Sequence, residues 1–111
     1  MDGQPKEREA IAFGRFTPGE GAKTERCEIQ QDRNPDGTFV PGRYIISLPP
    51  GTGPHRLDIQ LQGDQPRRYN LENVSPHQHV LRTFTQVDTP SMMADTGFEV
   101  MVSRAARKSV L

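Results

Sequence analysis

The octapeptide His55-Arg56-Leu57-Asp58-Ile59-Gln60-Leu61-Gln62 decides how this chain is read. Leu57, Ile59 and Leu61 recur at every second position, with Arg56, Asp58, Gln60 and Gln62 between them. Successive side chains of an extended strand point to opposite faces, so this pattern makes one face apolar and the other polar. A helix would need apolar residues both three and four apart, and no two stand three apart here. The octapeptide therefore reads as a half-buried β-strand with Ile59 at the centre of its core face.

Working outward, the same period of two returns. In 43–48, Tyr44, Ile46 and Leu48 share a face, and Arg43, Ile45 and Ser47 share the other. Between the two runs lies Pro49-Pro50-Gly51-Thr52-Gly53-Pro54, poor in ladder donors. The expected arrangement is a hairpin of 43–48 with 55–62, closed by a long, stiff tip. In 25–30, Cys27 and Ile29 point inward. Tyr69 and Leu71 alternate with Arg68, Asn70 and Glu72. The run 79–87 sets Val80 and Phe84 against Leu81, Thr83, Thr85 and Val87, and its β-branched content suits a strand buried on both faces. Phe98, Val100 and Val102 alternate with Glu99, Met101 and Ser103. Near the start, Ile11 and Phe13 alternate with Ala10 and Ala12, and Gly14 marks an expected bulge before Phe16.

These are about seven short strands at roughly 10 to 15 residue spacing, separated by Gly, Pro, Asn and Asp clusters, which is the pattern of an antiparallel sandwich or small barrel. The fold expected is all-β: a small antiparallel β-sandwich, immunoglobulin-like or jelly-roll-like, forming one domain over 1–111. An extended N-terminal arm (1–9) and a basic C-terminal arm (104–111) flank it. Helix is expected only in short pieces, at 5–10, at 89–97 and, as an alternative to extended chain, at 104–111.

Composition bounds the function. The 111 residues carry 14 Lys and Arg against 14 Asp and Glu, a net charge of zero that speaks against a dedicated binder of DNA or anionic membrane. Leu, Ile, Val and Phe make up about one residue in five, which is a light core for a folded chain. Such a domain gains stability by mass action when a partner binds only its folded form. No apolar run is long enough for a membrane span or a signal-peptide core, so the expectation is a protein made in the cytoplasm.

His77 and His79, at i and i+2 of a strand, present two imidazoles on one face, but sequence places no third ligand beside them, whether Cys27, Asp88 or His55. A solvated strand start is the better reading, and no metal or other cofactor is assigned. Cys27, the single cysteine, cannot form an internal disulfide. It stands on an inward position, where a thiol packs as a small apolar group rather than as a nucleophile. Ser47 and Ser91 lack the Gly-x-Ser-x-Gly context of a hydrolase elbow. Gly19-Glu20-Gly21 and Gly51-Thr52-Gly53 are turn glycines with no phosphate-binding context. Asp32-Arg33-Asn34-Pro35-Asp36-Gly37 opens like a calcium loop, but Arg43 stands where the closing Glu belongs, so it reads as a type I turn. Arg67, Arg68 and the tail residues Arg104, Arg107 and Lys108 form the basic clusters. With five Phe, two Tyr and no Trp, too few aromatics remain to interleave with them as nucleic-acid readers do. No catalytic, cofactor-binding or metal-binding residue is assigned.

The stretch Pro35-Asp36-Gly37-Thr38-Phe39, followed by Pro41-Gly42-Arg43-Tyr44 and Pro49-Pro50-Gly51, resembles a local pattern of small extracellular-type β-sandwich modules. In that pattern a turn leads into a strand and then a Pro-Pro-Gly corner. It is built of turn residues, so it implies a sandwich and brings no functional residue with it.

Taken together, these features favour a non-enzymatic structural component of a larger assembly. A phage or virus particle is the expected setting, with capsid decoration, cement or a head-tail connector as the role, and capsid or tail proteins or further copies of the chain as partners. Its location would then be the virion. The alternatives are a ligand- or carbohydrate-binding module using Tyr44 or Tyr69 as a platform, and a small inhibitor of a host protein.

Overall fold

The computed structural model describes residues 8–63, 67–85 and 92–105. Its eight strands are β1 (Arg8–Thr17), β2 (Gly21–Glu25), β3 (Glu28–Arg33), β4 (Phe39–Ser47), β5 (Arg56–Leu61), β6 (Arg67–Ser75), β7 (Gln78–Thr85) and β8 (Phe98–Ala105). They form two antiparallel four-stranded sheets, in the orders β2-β1-β8-β5 and β3-β4-β7-β6. The chain is an all-β sandwich, as the alternating runs require. Among the described residues no helix is long and apolar enough to cross a membrane.

The alternation of Phe98, Val100 and Val102 puts all three at full burial on the inner face of β8. Across the sandwich β4 contributes Tyr44, Ile46 and Leu48, and β7 contributes Leu81. Tyr44 stands edge-on to Phe98, 5.0 Å between ring centroids, and Phe16 packs on both rings. This triad carries the aromatic part of an otherwise aliphatic core. Val80 is buried on the opposite side of β7 from Leu81, so β7 is covered on both faces as its composition suggests.

Several expectations are corrected. The runs 43–48 and 55–62 do not form a hairpin. β4 pairs with β3 and β7 in one sheet, whereas β5 pairs only with β8 in the other. Pro49, Pro50 and Pro54 offer no ladder N–H, so the segment carries the chain across the sandwich instead of folding it back. The run 25–30 is likewise broken: Arg26, with φ 62°, bends the chain so that β2 ends one sheet and β3 opens the other. β2 itself adds an eighth strand that alternation could not reveal, since all five of its residues are exposed.

In β1 the inward residues are Ala12, Gly14 and Phe16, with Ile11 and Phe13 half-buried. The register shift lies between Ala10 and Ala12 rather than at Gly14. Gly14 serves close packing of the two sheets: a Cβ there would fall 2.5 Å from Ile29 Cδ1. Ile59 points inward but is only half-buried, because β5 is an edge strand. Residues 8–10 belong to β1 instead of a helix or a free arm, and 92–97 are non-helical, Met93 bridging to Phe84. Arg104 extends β8 and pairs with Glu9 at 3.3 Å. The rest of both expected arms, including Arg107 and Lys108, lies outside the described residues, as do 86–91, with Val87, Asp88 and Ser91.

Candidate functional site

One end of the sandwich is shaped by the crossing segment between β4 and β5. That segment, with the turn between β6 and β7, lines an open groove of about 620 Å³ bordered by Gly51, Gly53, His55, Asn73, His77 and His79. His55 lies just ahead of β5 and His79 lies in β7, so the two belong to opposite sheets. Their Nε2 atoms meet at 2.8 Å, with the rings edge-to-face. His77 and His79, weighed as a pair on their spacing, are not the two that meet; His79 meets His55 instead. His77 lines the same groove from the turn.

The partners dictate the protons. A carbonyl only accepts, so His55 Nδ1, 2.7 Å from Gly53 O, carries a hydrogen. In the neutral ring Nε2 then holds a lone pair, and His79 Nε2–H donates to it. His79 Nδ1 is left as an acceptor facing the Asn73 side-chain nitrogen at 3.4 Å. That nitrogen is fixed as a donor by Ser75 O at 2.7 Å and Gln78 O at 3.1 Å. Those two carbonyls take its two hydrogens, so the directed donation runs from His79 to His55 and on to the Gly53 carbonyl. His79 is buried, and this desolvation, reinforced by the neighbouring His55, lowers its pKa below the ordinary histidine value. The 2.8 Å spacing is that of a hydrogen bond; two imidazoles on one zinc ion hold their nitrogens about 3.3 Å apart.

At the opposite end, segment 92–97 closes the sandwich through Asp95. One carboxylate oxygen accepts from Gln31 Nε2 at 2.8 Å, the Gly42 amide at 2.7 Å and the Tyr44 hydroxyl at 3.1 Å. The Thr83 hydroxyl donates to Ala94 O at 2.6 Å. Burial, with the nearby Asp95 charge, pushes the Tyr44 phenol well above its usual range. Tyr44 is therefore a core residue and not a platform for a sugar. Tyr69 remains 46% exposed on the edge strand β6.

The remaining candidates fall into place locally. Cys27 is buried with its thiol 3.4 Å from Phe13 O, and burial raises its pKa, the setting of an inert thiol. Residues 34–38 form the β3–β4 turn, Gly37 N bonding to Asn34 O at 2.9 Å. The Asp36 carboxylate accepts from the Thr38 amide and hydroxyl, which lowers its pKa. It caps the turn. Ser47 accepts a hydrogen bond from Gln78. Arg67 Nε donates to the Thr96 hydroxyl at 3.2 Å, and Arg68 lies 5.1 Å over the Phe84 ring. On the outer face of the second sheet, Arg43 and Arg82 stand opposite one another, each compensated, by Asp32 at 3.1 Å and Glu72 at 2.9 Å respectively.

β2 borders the first sheet on the far side from β5, and its five exposed residues include the inward-facing Ala22 and Thr24. The second sheet does not cover this margin.

Fold and geometry together define a small eight-stranded β-sandwich with a histidine-lined groove at one end. No protein-family model, no curated protein and no solved structure matches the chain.

Proposed function

We propose that the chain is a non-enzymatic structural component of a larger assembly, of the kind built into phage or virus particles, and that it works through protein–protein contacts. The observation that carries this reading is the β2 margin. A five-residue strand ends its sheet with an unpaired backbone edge, and even its inward side chains meet solvent. An exposed edge is a template for another strand, and main-chain hydrogen bonds to it give affinity without a deep pocket. The light core supports the same reading, since a marginal domain is stabilised by any partner that binds only its folded form. Lys23 and Glu25 flank Thr24, so an antiparallel partner strand of the same sequence, centred on Thr24, would set each charge against its opposite. Capsid or tail proteins, or further copies of the chain, are the partners this reading calls for.

Light scattering coupled to size exclusion, with melting followed across protein concentration, tests it. A dimer or larger species whose melting temperature rises with concentration is expected, and Ala22→Arg should return it to monomer without lowering the monomer's own stability. A monomer at every concentration, with a concentration-independent melt, would move the assignment to a ligand-binding module or an inhibitor.

A further inference from the structure

We propose that His55 and His79 form a proton-operated clasp between the two sheets, closed when both rings are neutral and opened in mild acid, freeing the crossing segment Pro49–Pro54. The argument is independent of the assembly reading and starts from the donor count. In the neutral state His79 donates to His55 and His55 to Gly53 O, and His79 Nδ1 keeps its lone pair toward the Asn73 amide nitrogen. That chain has one lone pair to spare at each junction and no more. A first added proton has to settle as an N–H on His79 Nδ1, where it faces the Asn73 amide donor. A second has to occupy His55 Nε2, and it removes the lone pair that holds the clasp, leaving N–H against N–H at 2.8 Å.

Nothing nearby offsets the added charge. Among the described residues the groove lining carries no carboxylate, and the titratable groups facing the pair are His55, His77 and His79 themselves. From β6 the facing group is the neutral amide of Asn73, and the crossing segment brings only Gly, Thr and Pro. Arg56 on β5 and Arg104 on β8 are engaged by Asp58 and Glu9. Burial of His79 lowers its own affinity for a proton, which keeps the clasp closed at neutral pH.

The location gives the clasp its consequence. His55 ends the Pro- and Gly-rich segment that carries the chain from one sheet to the other, and Gly53 carries one of its positive φ angles, 76°. The Leu48 amide bond to His77 O continues the β4–β7 ladder and holds the start of the segment within the second sheet, whereas its far end, on the first sheet, is tied back to the second through the histidine pair. When the pair parts, the segment loses its anchor on the second sheet, while the Asp95 network at the far end has no histidine in it.

Ring-nitrogen NMR of the full chain at pH 8 should find His55 as the Nδ1–H tautomer and His79 as the Nε2–H tautomer, the two titrating together. Amide exchange, expressed as protection factors, should show residues 51–55 losing at least about tenfold between pH 8 and pH 5 relative to β8 amides. His79→Gln keeps a donor toward His55 but cannot titrate there, so its segment should hold its protection. His55→Gln, at a half-buried position, provides the same test should His79→Gln fail to fold. His77→Gln, which leaves the pair intact, should behave as the parent. Independent titration of the two rings, or a loss of protection in the glutamine variants at positions 55 and 79 as large as in the parent, would overturn the clasp. So would saturable binding of one micromolar-affinity Zn²⁺ that shifts both rings at pH 8, since the pair would then be a metal site.

Discussion

Gly42 is the position where one added carbon tests the most structure. Its φ of 72° lies in the left-handed region, and a Cβ there would meet Thr83 O at 2.7 Å and both Ala94 N and Ala94 O at 2.9 Å. All three are backbone atoms, so no side chain can swing away. Gly42→Ala therefore carries two costs. The left-handed conformation costs an L-residue roughly 1–2 kcal/mol, and forcing a methyl into a packed site adds about 1–3 kcal/mol. The Gly42 amide is also a donor to Asp95, so any retreat of β4 pulls on the bond that seats segment 92–97. The sum is about 2–5 kcal/mol. Gly37→Ala isolates the first part, because Gly37 has φ 90° and nothing within 4 Å of the added carbon. Urea unfolding of both variants, with the slope checked for constancy, gives the difference directly. We expect Gly42→Ala to lose at least ~1 kcal/mol more than Gly37→Ala. Equal losses would refute the close approach of β4 to the Ala94 backbone, and with it the account of how that end is closed.

Gly14→Ala should cost about 1–3 kcal/mol through its contact with Ile29 Cδ1, offset in part by the stiffer unfolded chain. In a double-mutant cycle by urea unfolding, Ile29→Val removes that atom, so the pair should lose less than the two singles summed; strict additivity would mean the sheets do not touch there. Leu81→Ala, at full burial in a central strand, should cost about 2–5 kcal/mol. Ile59→Ala, half-buried on an edge strand, should cost about half as much, and an equal loss would place β5 deeper than the structure does. Because His79 has a depressed pKa when folded, the unfolded chain binds the extra proton first, so stability is full above about pH 7 and falls as pH drops through the ordinary histidine range. Melting temperatures of parent and His79→Gln between pH 8 and pH 5 should show that fall only in the parent. A thiol reagent should reach Cys27 only as fast as the native state opens, so denaturant should accelerate labelling by orders of magnitude; fast labelling of native protein would contradict its burial.

What local chain chemistry could settle was legible in the order of residues. Period-two alternation is a property of neighbours along one strand, so it identified strands at β4, β5, β7 and β8, and it chose the inward side of Tyr44, Ile46, Phe98, Val100 and Val102. Turn chemistry was equally local, as Asn34 to Thr38 shows. β2 escaped because a strand exposed on both faces has no apolar period to read. The irregularity in β1 was not placed at Ala10–Ala12 because one extra residue in a strand shows only against the partner β8, where it flips every later side chain. Which strands pair is a matter of distant surfaces. Pro49, Pro50 and Pro54 could forbid a ladder in their own segment, but they could not say that the chain beyond would join β8 instead of β4. The meeting of His55 with His79 follows from that crossing. No spacing in the sequence encodes it, because the two rings are brought together only when two separately built sheets are stacked.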